Sequence, residues 1–144
     1  MMDGIFQLIT SFLGTLGFGI LFHIRGRKLW LAALGGFLAW AIFLLLGLWI
    51  ESEPMRYLLV SILTTLYAEV LARWVKTPTT TFIIVSLIPL IPGSGLYYTM
   101  ANALSGNSEG FMEKGIYTLE LSLALALGII LVTSCVRRIK YQIK

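Results

Sequence analysis

Apolar residues run through this chain in long blocks, interrupted by short polar punctuation. Five blocks stand out, at positions 5–22, 29–50, 57–75, 81–104 and 115–136, with HIRGRK, ESEPMR, KTPTT and SGNSEGFMEK between them. A helix that crosses a bilayer needs roughly 20 mostly apolar residues. The pattern predicts an all-α polytopic membrane protein of five transmembrane helices. The punctuation leaves no room for a soluble module, so residues 1–144 read as a single five-span domain without an internal repeat.

Composition agrees. Of 144 residues, 58% are hydrophobic and 12% charged, and mean hydropathy is +0.87. A soluble domain carries about 25% charged residues. The net charge of +4 would suit nucleic acid, but its distribution does not. Arg25, Arg27, Lys28, Arg73, Lys76, Arg137, Arg138, Lys140 and Lys144 follow the odd-numbered spans, and only Arg56 and Lys114 fall in the other two loops. Those loops carry Glu51, Glu53, Glu109 and Glu113, and Asp3 marks the N-terminus. The positive-inside rule then places the N-terminus outside and the C-terminus in the cytoplasm. The first span lacks a basic n-region and a cleavage site, so it reads as a retained span. The lone Cys135 reads as a small hydrophobe at a helix end.

Within the first two spans, Ser11, Thr15 and Gly19, and likewise Ala32 and Gly36 beside Gly35 and Ala39, are small residues at four-residue spacing. Such stripes let helices approach closely in lipid, within the chain or against another one. Trp30, Trp49, Tyr57 and Trp74 fall at span ends and read as interfacial anchors. In the third span, Ser61, Thr65, Glu69 and Arg73 recur every four residues along one face. A carboxylate at that depth either pairs with the arginine one turn on or serves as a titrating group in a polar seam. Glu120 and His23 read as side chains that reach water at the two interfaces.

The fourth span contains SLIPLIPGSGLYYTM at 86–100. Pro89 and Pro92 lack amide donors and clash with a continuous helix, and Gly93 and Gly95 permit positive φ. The expected structure is a helix over 81–88, an unwound stretch at 89–95 and a second half-helix beyond. Open backbone at membrane depth is tolerated only inside protein or beside a water-filled cavity. Transporters build midplane sites from such breaks, with helix amides available to an anion. Ser94, Tyr97, Tyr98, Thr99 and Asn102 add hydroxyls and an amide, so Pro89 to Asn102 is the candidate substrate path. A packing kink and a re-entrant hairpin are the alternatives. No metal cluster, phosphate-binding loop or nucleophile elbow is present, and neither an enzyme nor a cofactor is expected.

KTPTTTFIIVSLIPLIPGSGLYYTM, residues 76–100, resembles the signature of the threonine/serine exporter (ThrE-like) family, in its C-terminal half. Lys76, Pro78, Phe82, Pro89, Pro92, Gly93, Gly95, Tyr97 and Tyr98 sit where the family pattern has them. Val85-Ser86 departs from it, since family members often carry Pro-Gly there. In bacteria that half also occurs as a separate small subunit beside a larger membrane subunit. The resemblance implies a subunit of a secondary exporter in a bacterial cytoplasmic membrane, moving threonine, serine or a dicarboxylate such as succinate. The partners implied are the larger subunit, the lipid bilayer and a small carboxylate-bearing metabolite. Thr65, Glu69 and Arg73 are then the proton-coupling candidates. A non-transporting scaffold and a homo-oligomeric channel are the other readings.

Overall fold

The computed structural model describes residues 2–142. Of the charges used above, Lys144 and the side chains of Asp3 and Lys140 lie outside the described residues. Six α-helices follow one another: α1 Met2–Leu21, α2 Arg27–Leu46, α3 Glu53–Trp74, α4 Thr79–Leu87, α5 Gly93–Leu104 and α6 Ser108–Gln142, with a short 3-10 helix at Ile88–Leu90. The described residues contain no strand.

Four of these helices are long and apolar enough to cross a membrane, and α4 with its 3-10 turn and α5 together qualify as a fifth, bent by 61°. Side-chain distribution follows from the solvent. Ser11, Thr15, Ser61, Thr64, Thr65, Ser86 and Thr118 are buried, while Leu48, Trp49 and Leu104 are largely uncovered by protein. A water-soluble protein does not leave apolar surface on this scale. In lipid it costs nothing, and polar side chains gain by turning inward. The chain is a multi-pass membrane protein.

Helix ends follow local chemistry. α1 and α3 close alike: His23 and Lys76 adopt positive φ (58° and 51°), and the amides of Ile24 and Thr77 reach back to the carbonyls of Gly19 and Ala72. This is the Schellman pattern, which satisfies carbonyls the helix leaves open. Gly106, at φ 73°, ends α5 the same way through Asn107 and Asn102. Pro54 lies in the first turn of α3, where its missing amide costs nothing.

Contacts fix how the helices run. Gln7 meets Trp40 and Ser11 meets Gly36, so α1 and α2 are antiparallel. Phe43 packs edge-on against Tyr57 and Tyr67 bonds Leu31, so α2 and α3 are antiparallel too. Gly95 abuts Thr118 and Gly115 abuts Thr99, which sets α5 antiparallel to α6. Across α3 and α6 the order is different: Glu53 pairs with Tyr117, and Ser61 fills the space beside Gly128. These two helices run parallel.

α2 is the central pillar. Its carbonyls at Leu31, Ala32 and Gly36 accept hydrogen bonds from Tyr67 on α3 (2.8 Å), Ser86 on α4 (3.4 Å) and Ser11 on α1 (3.0 Å). Its small residues Ala32, Ala33, Gly35, Gly36 and Ala39 are all buried. The Ser11–Thr15–Gly19 stripe therefore packs within the chain, with Thr15 against Gly36 and Gly19 against Leu29.

Two expectations need correction. Tyr57 is no interfacial anchor: it is buried, because Phe43 offers its ring an edge-to-face contact at 5.2 Å. The unwound stretch is also shorter than 89–95. α4 begins at Thr79, and α5 begins at Gly93, so Gly93 and Gly95 are helical and neither uses positive φ.

Candidate substrate-path site

The break is made by two missing donors. Pro89 ends regular bonding of α4, and the chain tightens into the 3-10 turn, where the Ile91 amide bonds Ile88 at 3.1 Å. Pro92 stands as the N-cap of α5 with φ −74° and ψ 63°, and no side chain caps this helix. The irregular segment is not bare. It packs against α1 and α2, with Leu90 fully buried and Pro92 buried too. A non-helical backbone at membrane depth requires such cover.

Beyond the break the situation reverses. α5 has no buried residue and leans on α6. Gly95 is what allows that contact, since a side chain there would collide with the buried Thr118. Thr99 turns its hydroxyl to the Gly95 carbonyl, 2.7 Å away, and Asn102 accepts from Asn107 at 3.3 Å. Ser94, Tyr97 and Tyr98 are left uncovered, the two rings edge to face at 5.4 Å. Nothing lies within 4 Å of where a Gly93 side chain would start.

The second candidate group lies elsewhere. Glu69 is mostly enclosed, 14% exposed, with one oxygen 4.0 Å from the exposed Arg73 guanidinium. One turn back, Thr65 is fully buried, and its hydroxyl, like that of Thr64, has no hydrogen-bond partner. Gly35 brings Ser86 and Tyr67 to one level. From there α4 climbs toward the break, while antiparallel α3 descends toward Glu69. Among the described residues no hydrogen bond or ion pair joins Thr65, Glu69 or Arg73 to the 89–102 segment. The chain thus carries two separate polar features.

Thr118 was not singled out in the sequence, although it forms the floor under Gly95. Its spacing to Ser122 on the same helix was the available signal. Tyr117 was missed as well; its hydroxyl donates to Glu53, joining the two acidic loops. Beside it, Glu113, Lys114, Ile116, Tyr117 and Glu120 line an open groove of about 450 Å³. Glu120 is left uncovered by the rest of the protein.

Fold and site together define a polytopic helical membrane protein with a bent span, buried at its break and open beyond it. The model of the family described as Threonine/Serine exporter, ThrE, matches residues 7–135, and the chain belongs to that family. The family is one of transporters rather than enzymes, and membership gives the chain an exporter-type function. Neither the search of curated proteins nor that of solved structures returns a match.

Proposed function

We propose that this chain is the small subunit of a two-subunit exporter in a bacterial cytoplasmic membrane, with the bent span lining the path of a carboxylate-bearing metabolite. One observation carries the reading. Past the break, α5 leaves Ser94, Tyr97 and Tyr98 and an uncapped helix start uncovered. Acyl chains cannot satisfy such groups, whereas a second subunit and a substrate can. The positive end of the α5 dipole suits the carboxylate shared by threonine, serine and succinate.

Five crossings, with the N-terminus outside and the C-terminus in the cytoplasm, complete the proposal. The parallel pairing of α3 and α6 supports them. A re-entrant hairpin at 79–104 would start α6 on the side where α3 ends and make the pair antiparallel. The basic residues at the ends of α1, α3 and α6 support the orientation. Glu69 is the coupling candidate, being the enclosed carboxylate of the α3 stripe, and Arg73 and Thr65 set its surroundings.

The test is efflux of labelled threonine, serine and succinate from loaded cells, with this chain alone and with the larger subunit. Efflux only with both establishes the two-subunit carrier. Efflux with this chain alone means a homo-oligomeric carrier or channel. No efflux of any of the three, with both chains inserted, leaves a scaffold or an exporter of another substrate.

A further inference from the structure

At the end of the bundle where α1 and α3 finish and α2 and α4 start, the charges are not merely numerous. They are gathered. The Arg27 guanidinium lies over the Trp74 ring, 5.0 Å from its centroid, an attraction between a cation and a π face. This contact ties the α1–α2 loop to the α3–α4 loop. Arg25, Arg27, Arg73 and Lys76 are uncovered at this same end of the bundle, and Lys28 is half-covered. No acidic residue lies in either loop. Among the described residues the carboxylate nearest these loops in the chain, Glu69, has its ion pair with Arg73.

Below the charges the surface turns apolar at once. Leu21, Phe22, Trp30 and Trp74 are all more than half exposed. The helix starts add to the same field. α3 and α6 place Glu53 and Glu109 in their first turns, but α2 and α4 have neither an acidic residue there nor a side-chain cap. Their positive dipole ends therefore remain uncompensated. Topology asks for positive charge at this end. It does not ask for two loops clamped together.

We propose that this basic surface binds the phosphate of an anionic phospholipid, whose acyl chains lie along Leu21, Phe22 and Trp30. A free phosphate would meet the charges and leave the apolar flank unused, so the lipid is the occupant that fits both. The inference stands apart from the transport reading, since it needs only that this end lies at a membrane surface.

Trp30 and Trp74 report on the site directly. In the Trp40→Phe, Trp49→Phe background, reconstituted in phosphatidylcholine vesicles, brominated phosphatidylglycerol is expected to quench at about tenfold lower mole fraction than brominated phosphatidylcholine. Combining Arg25→Gln, Arg27→Gln, Lys28→Gln and Lys76→Gln brings that ratio to about one, while Arg137→Gln with Arg138→Gln leaves it unchanged. Thr80→Glu, which places a carboxylate in the first turn of α4, lowers the ratio without removing any cation, and keeps the test valid should the fourfold variant fail to insert. Equal quenching by the two lipids, or equal loss in the Arg137–Arg138 control, overturns the proposal. So does a millimolar concentration of inorganic phosphate or glycerol 1-phosphate that abolishes the preference, because the site is then one for soluble anions.

Discussion

Gly36 and Gly95 each make room for a threonine, Thr15 in one case and Thr118 in the other. In lipid, helices associate through close packing and inter-helix hydrogen bonds, so these contacts carry a large share of the stability. Gly36→Ala would press a methyl group into Thr15 and is expected to destabilise the fold by about 1–3 kcal/mol, the usual cost of overpacking. Thermal unfolding in detergent measures it. Gly93→Ala, in open space, should fall within about 0.5 kcal/mol of wild type in the same assay. The small-residue stripes that hold Thr15 and Gly36 were legible in the sequence, while their pairing within the chain came from the structure. Thr118 was not, because a lone threonine in an apolar span reveals nothing until its partner helix is known. Glu69 is a third residue-scale case. If it carries the coupling proton, Glu69→Gln leaves insertion intact and makes efflux indifferent to collapse of the proton gradient. Efflux that keeps its gradient dependence assigns Glu69 to a structural pair with Arg73.

Among the elements, the bent span is the one to which the proposed substrate path is assigned. The position of its break was readable from Pro89 and Pro92, since a missing amide acts locally whatever surrounds it. The extent of the break was not. Sequence alone suggested that the glycines were needed for unusual backbone, whereas Gly95 is needed for proximity to α6, a non-local requirement. Replacing Pro92 and Gly93 together with alanine returns one donor to the backbone and favours a straighter helix. The expected result is efflux reduced at least about tenfold, with membrane insertion unchanged, measured in loaded cells beside an insertion assay. Wild-type efflux from this variant would sink the role given to the bend.

For the whole molecule, hydropathy made the membrane class and the apolar blocks plain, because roughly 20 apolar residues have few other uses. It did not give the helix limits: α6 runs Ser108–Gln142, well beyond its block at 115–136 and into the loop read at 105–114. Which spans touch, and in which sense, required the structure. The five-crossing arrangement predicts opposite sides for the two ends of the bent span. In a Cys135→Ser background, an impermeant maleimide should label Ser108→Cys in intact cells and Lys76→Cys only in inverted vesicles. Labelling of both from one side would mean a re-entrant segment.

The parallel contact between α3 and α6 also has a consequence for how the protein is made. α6 is synthesised after the elements it packs against, and among the described residues it is the main packing link between α3 and the outlying α5. Until it arrives, the Ser61 face of α3 and the Gly95 face of α5 both stand open to lipid. The nascent chain therefore passes through a stage in which four helices have already found one another and the fifth has nothing to lean on. An interruption of synthesis within α6 would release a product that is inserted but not assembled.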